Sequence, residues 1–188
     1  RGAQLRSEPM KGTAPRSGDP VRDAKILKTL LADPKMHAEN LMIVDLIRND
    51  LSRIAEAGSV SVPALFESRP LKSVHQVSSV VEARVKPDQG IVDVLRALFP
   101  CGSVVGAPKA KAFELIQSLE SEARGIYTGS LGVLEPDGDF TWSVAIRTLD
   151  QRGDAVRLGL GSGVVADSDA DAEWDECLLK GRFAGVGI

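Results

Sequence analysis

The sequence predicts an α+β domain. Two early segments carry the helical period, a middle stretch alternates like a strand, and two hairpin signals stand in the second half. Ser17-Gly-Asp-Pro20 is turn chemistry that opens a helix over about residues 21–31. Asp33-Pro34 starts a second helix reaching about residue 51, with Met42, Ile43, Leu46, Ile47 and Leu51 in helical register. Glu39 lies three and four positions before Met42 and Ile43, which puts it on their inward face. An ionised carboxylate there needs a cation or a metal. After a short strand at residues 59–63, residues 71–85 alternate. Leu71, Ser73, His75, Val77, Ser79, Val81 and Val85 share one face. His75 is thus on the more apolar face, as a core histidine or as a site residue.

A helix over about 91–99 follows Lys86-Pro-Asp-Gln-Gly90. Another, over about 108–120, opens at Gly106-Ala-Pro-Lys109 with proline in its first turn. The glycines at 102 and 106 are not followed by Lys-Ser/Thr, so they are not a Walker A loop; they read as a connecting turn, with an anion-binding loop at the helix N-terminus as the alternative. Three strands come next, over about 126–134, 140–149 and 156–166, with turns at Pro136-Asp-Gly138 and Arg152-Gly-Asp154. Arg147 shares its strand face with Thr141, Ser143 and Ala145, and Gly159, Gly161 and Gly163 share a face of the next strand. A cation beside small side chains and bare backbone describes a floor for an anionic ligand; close sheet packing is the alternative. On the last helix, about 170–183, Glu173, Glu176 and Lys180 share a face. They form either solvated surface pairs or the carboxylates of a magnesium site.

With 188 residues, 43% of them hydrophobic and 26% charged, the chain suits one domain with a real core. A net charge of -3 leaves no basic excess for nucleic acid. Cys101 and Cys177 are too few for a disulfide framework and lack metal-ligand spacing, so buried thiols in a reducing, cytoplasmic setting are expected. No apolar run approaches the ~20 residues of a membrane span. The first residues carry neither an initiating Met nor a signal peptide, and the chain is expected to be part of a longer protein.

Near the start, Pro9-Met-Lys-Gly-Thr-Ala-Pro-Arg16 holds one lysine before a glycine that lets other groups come close. It is a basic surface turn or a presented nucleophile. Further on stand Ala38-Glu-Asn-Leu-Met-Ile-Val-Asp-Leu-Ile-Arg-Asn-Asp50, His75-Gln-Val-Ser-Ser79 and Phe99-Pro-Cys-Gly-Ser-Val-Val-Gly-Ala-Pro-Lys109. They continue with Arg124-Gly-Ile-Tyr-Thr-Gly129, Ala145-Ile-Arg-Thr148, Gly161-Ser-Gly-Val-Val-Ala-Asp-Ser168 and Glu173-Trp-Asp-Glu-Cys-Leu-Leu-Lys180. In this order, over essentially the whole chain, these segments resemble the C-terminal part of the chorismate-utilising enzymes.

The resemblance implies the α+β fold of that family, with large antiparallel sheets and helices packed outside, residues 1–188 forming one chorismate-binding catalytic region. Aminodeoxychorismate synthases carry lysine in the first motif where anthranilate synthases carry alanine, so Lys11 aligns the chain with the former. Lys11 would then attack carbon 2 of chorismate, and ammonia would displace it after the 4-hydroxyl has left. That chemistry requires a neutral amine, from desolvation or a nearby cation. Glu39, Glu173 and Glu176 would hold magnesium. Tyr127 and Arg147 would bind the enolpyruvyl carboxylate with backbone N–H groups around Gly161 and Gly163. Thr13 and Lys180 would also contact substrate, and His75 would stand near the reacting ring. Ammonia would come from a glutamine amidotransferase subunit.

The chain departs from the family pattern at Met36-His37, at Val105 and at Ala170, where Asp-Arg, Thr and Pro are usual. The family's upstream Ser-Pro-Glu segment, with its expected general acid, is not in this sequence. Anthranilate or isochorismate synthesis is the alternative within the family. An inactive scaffold that docks a glutaminase is the alternative outside it.

Overall fold

The structure, a computed structural model, describes residues 3–72 and 74–185. Ser73, assigned above to the His75 face, lies outside them. The chain forms two compact units, Arg1–Gly102 and Ser103–Ile188. Helices and antiparallel sheets make up both, as the α+β expectation requires.

The first unit contains β1 (Gln4–Ser7), β2 (Met10–Pro15), α1 (Pro20–Leu31), α2 (Pro34–Ser52), β3 (Ser61–Pro70), β4 (Val74–Arg84) and α3 (Ile91–Leu98). Both early helices start as their sequences dictate. Asp19 accepts from the N–H groups of Val21 and Arg22, Asp33 accepts from that of Lys35, and each cap is followed by proline. β4 is the central strand. β3 runs antiparallel along one edge, and β1 and β2 pair in succession along the other. Val77, Val80 and Val81 are buried on both faces of β4 and form the core with Met36, Ile43 and Leu51.

β3 extends well beyond the strand expected at residues 59–63. Its register shifts twice against β4, and Phe66 adopts φ 56 at the second shift. Each bulge resets the inward and outward alternation, so a period of two cannot be followed through it. The second shift is pinned from inside. The Ser79 hydroxyl donates to the Oδ1 of fully buried Asn40 at 2.6 Å and accepts from the Phe66 N–H at 3.1 Å. Ser79→Ala is expected to cost about 2–3 kcal/mol, because it leaves the buried Asn40 Oδ1 and the part-buried Phe66 N–H without this partner. Urea unfolding, read as a lower midpoint at unchanged slope, measures it.

The second unit contains α5 (Lys109–Leu119), the hairpin of β5 (Ser130–Leu134) and β6 (Phe140–Val144), the hairpin of β7 (Leu149–Arg152) and β8 (Ala155–Leu158), and α6 (Ala170–Gly181). A single helical turn, α4 (Gly102–Val105), precedes α5 where only a connecting turn was expected. Both predicted hairpin turns are present. The two long strands are shorter than expected. The strand over 140–149 stops at Val144, because Arg147 adopts φ 51 and Thr128, whose N–H pairs with the Ala145 carbonyl, adopts φ 61. Left-handed residues turn the chain out of the ladder. The strand over 156–166 stops at Leu158, and Gly159, Gly161 and Gly163 lie in irregular backbone. Alternate glycines have no side chains for cross-strand pairing. Among the described residues, no single helix is long and apolar enough to cross a membrane.

Candidate functional site

In the first unit the site begins with a break in the β2–β4 ladder. Met10 pairs with Ser78 and Thr13 with Gln76, so Lys11 and Gly12 together face the single residue Val77. Two residues against one is a β-bulge, a device that re-aims a side chain. The sequence permits it because residue 12 is glycine. Its φ is +90°, and a Cβ there would meet Met36 Cγ at 2.6 Å. Gln76 closes the arrangement: its Nε2 donates to the Gly12 carbonyl at 3.1 Å, and its Oε1 accepts from the Thr13 hydroxyl at 3.3 Å. The bulge directs Lys11 toward α2, where its Nζ lies 3.7 Å from a Glu39 carboxylate oxygen. Both side chains are partly exposed.

Glu39 is therefore not on the inward face of α2. The buried stripe runs through Met36, Asn40, Ile43, Ile47 and Leu51, whereas Met42 is 52% exposed. Glu39 sits at the rim of that stripe with Lys11 as its cationic partner. The requirement for a cation was legible in the sequence; the face was one residue off, because fully buried Asn40 takes a position that an apolar count passes over.

His75 is buried on the helix-facing side of β4. Its Nε2 lies 3.8 Å from Oδ1 of Asp23, in the first turn of α1, and makes no hydrogen bond among the described residues. Asp23 is also buried. The same oxygen accepts from the Ser17 N–H at 2.7 Å and the Ser17 hydroxyl at 2.8 Å, and Oδ2 lies 3.5 Å from Arg16 Nε. These bonds from Ser17, with the charges of His75 and Arg16, draw the Asp23 carboxyl down from 3.8 to about 2. Sequence reasoning missed Asp23, since an acid in the first turn of a helix reads as ordinary dipole chemistry. A depressed pKa means that the unfolded chain takes up a proton, between about pH 4 and 2, that the folded chain refuses. The stability that Asp23 contributes is complete above that window and lost through it. Asp23→Asn is expected to remove this part of the acid limb of stability, measured as urea midpoints at successively lower pH.

In the second unit Tyr127 is the organising side chain. Its ring covers Gly159, where a Cβ would lie 2.2 Å from the ring's Cγ, and its hydroxyl lies 2.5 Å from where a Cβ on Gly161 would stand. The glycines are bare because the tyrosine fills their space. Arg124 stacks over the Tyr127 ring at 5.6 Å and forms an ion pair with Glu120. Burial pushes the Tyr127 hydroxyl pKa up. Arg147 is exposed and makes no hydrogen bond or ion pair among the described residues, so its guanidinium is open to an anion. Gly163 has open space where a Cβ would stand.

On α6, Glu176 and Lys180 form an ion pair at 2.5 Å, and Lys180 also donates to the Gly161 carbonyl at 2.9 Å. Glu173 accepts from the Ser168 hydroxyl at 2.6 Å. The second unit thus brings together Tyr127, Gly161, Lys180 and Glu176, and the first brings together Lys11 and Glu39. Within neither unit do the described residues gather three His, Cys, Asp or Glu side chains close enough to hold a metal. The carboxylates on offer are hard oxygen donors of the kind magnesium takes one or two at a time. Glu39 and Glu176 each face an ammonium group, that of Lys11 and that of Lys180 respectively. Cys101 and Cys177 are half-buried and in no disulfide.

Residues 1–184 match the family described as chorismate binding enzyme. Aminodeoxychorismate synthase component 1 of Klebsiella aerogenes is 46% identical over 180 residues, which are 96% of this chain and 40% of that protein. Anthranilate synthase component 1 of Streptomyces coelicolor is 42% identical over 181 residues, 96% of this chain and 35% of that protein. The crystal structure of anthranilate synthase component I from Streptococcus pneumoniae superposes with a TM-score of 0.81 at 34% identity, covering 96% of this chain and 39% of that one. The chain spans well under half the length of these relatives.

Proposed function

The chain belongs to the chorismate-binding enzyme family, and from that premise we propose that it carries the lysine-dependent chemistry of an aminodeoxychorismate synthase component I. The observation that carries this reading is the bulge at Lys11–Gly12, which holds one lysine off the sheet and toward a carboxylate. The 46% identity to an aminodeoxychorismate synthase supports it, and so does the lysine of the first motif, where the family resemblance implies alanine for an anthranilate synthase.

In this reading the Lys11 amine forms a bond to carbon 2 of chorismate, both ring double bonds shift by one position, and the carbon 4 hydroxyl leaves as water with a proton from a general acid, which the proton given up by the Lys11 nitrogen replaces. Ammonia then bonds to carbon 4, both double bonds shift back, and the Lys11 nitrogen departs from carbon 2 as a free amine, taking up a proton equivalent to the one ammonia loses. The product is 4-amino-4-deoxychorismate. Lys11 supplies covalent catalysis, splitting one substitution into two steps. Tyr127 and Arg147 hold the enolpyruvyl carboxylate, helped by the backbone at Gly161 and Gly163, while Thr13 and Lys180 orient the rest of the substrate and His75 serves near the ring. Glu39, Glu173 and Glu176 would hold magnesium, whose charge offsets that of the ring carboxylate. A glutamine amidotransferase subunit would supply the ammonia.

The test is incubation of the intact protein with chorismate, magnesium and ammonium, with the product identified by mass spectrometry. Aminodeoxychorismate is expected. Anthranilate or isochorismate as the sole product would overturn the assignment, and no conversion would point to the docking scaffold.

A further inference from the structure

The cluster of Arg16, Ser17, Asp23 and His75 is the part of the first unit that the proposed chemistry leaves unused, apart from the histidine itself. Its geometry is specific. A buried carboxylate takes two hydrogen bonds from one residue on one oxygen, faces an arginine on the other, and keeps an edge toward a buried imidazole. Ser17 and Arg16 lie on the segment that leaves β2, Asp23 on α1 and His75 on β4. Three separate parts of the chain therefore converge on one carboxylate.

Such convergence costs conformational freedom, and a surface ion pair would need none of it. Asp23 is ionised throughout the range in which folded proteins work, so it accepts hydrogen bonds and never donates one. His75 Nε2 is buried and has no hydrogen-bond partner among the described residues, and Asp23 is the carboxylate it faces. A ring nitrogen carrying a lone pair would meet a carboxylate that also carries only lone pairs. A ring nitrogen carrying a proton would meet its complement.

We propose that Asp23 is a positioning residue for His75, holding the proton of the neutral imidazole on Nε2 so that Nδ1 is the nitrogen left to accept a proton. When His75 accepts one at Nδ1, the resulting imidazolium keeps Nε2–H toward Asp23 and its charge is balanced there. No other atom changes owner, and the proton returns by the same route. Ser17 and Arg16 act one step further out, since they fix the carboxylate that fixes the ring. The catalytic half of this inference rests on His75 working near the reacting ring; the tautomer half does not.

The chain contains two histidines, His37 and His75, so histidine-ring ¹⁵N labelling yields two sets of signals, and His37→Gln assigns them. Long-range ¹H–¹⁵N correlation above the titration range is expected to show His75 wholly in the Nε2–H form. In Asp23→Asn, whose side chain can donate as well as accept, both His75 ring nitrogens are expected to move toward averaged positions, and Asp23→Glu to restore the original pattern. Nδ1–H in the unmodified chain overturns the proposal without any variant, and so does an identical His75 pattern in unmodified protein and a folded Asp23→Asn. In the chorismate assay, Asp23→Asn is expected to lower kcat about 10- to 100-fold with KM little changed. A protein that shows the tautomer change but converts no chorismate keeps this inference and overturns the functional reading.

Discussion

Lys11→Ala is expected to lower formation of aminodeoxychorismate by at least about 10³-fold, the scale on which removal of a covalent nucleophile acts. The loss should fall on kcat, since the residues assigned to bind chorismate are untouched. A Lys11→Arg variant sharpens the test. Arginine keeps a cation opposite Glu39 but has no nucleophilic amine at working pH. If Lys11 only balances the Glu39 charge, Lys11→Arg should retain most activity while Lys11→Ala loses it. If Lys11 is the nucleophile, both should be inactive, and a mass adduct on residue 11 should be trapped only in the unmodified enzyme. Unchanged turnover in Lys11→Ala would remove the assignment. The ion pair at 3.7 Å gives the experiment a second edge. The lysine faces a carboxylate, and the chemistry asks for its neutral form, so Glu39→Gln reports whether that partner holds the amine in reserve or assists it.

How much of this was legible without coordinates varies with the physics behind each signal. Helices α1 and α2 announce themselves through capping acids followed by proline, which are local interactions, and their observed bounds match the expected ones closely. The two late hairpins were legible for the same reason. β3 was mostly hidden, because its alternation is broken by two bulges, the second of which is pinned by Asn40 and Ser79, far away in sequence. The glycine run after Leu158 was legible as a place of close approach, but what approaches is Tyr127, from 32 residues earlier relative to Gly159. The triple glycine therefore marks the seat of a side chain as well as bare backbone. Residues that act by their own chemistry, such as Lys11, Glu39 and Arg147, could be picked out by type and motif. Residues that act by holding others, such as Asp23, Asn40 and Gln76, have no signature until the chain folds around them.

Gly12→Ala is expected to destabilise the first unit by about 3 kcal/mol, the sum of an unfavourable left-handed backbone and overpacking against a filled core. The two contributions separate. The backbone part belongs to residue 12 alone, since φ +90° is poorly available to any residue with a Cβ. The packing part needs Met36, whose Cγ stands 2.6 Å from where that Cβ would be. In a double-mutant cycle, Gly12→Ala with Met36→Ala should be more stable than the sum of the single effects by about 1–2 kcal/mol, because the cavity made at residue 36 receives the methyl group added at residue 12. Additive effects would mean that the bulge is held by the ladder alone and that Met36 is not part of its mould. The distinction reaches the chemistry, since the carbonyl of Gly12 is held by Gln76 and the residue before it is Lys11. A bulge moulded by the core has one geometry, and Lys11 then has one direction in which to point. At a temperature where Gly12→Ala is still folded, its deficit should therefore appear in kcat, with chorismate affinity preserved, and Met36→Ala in the same chain should recover part of it.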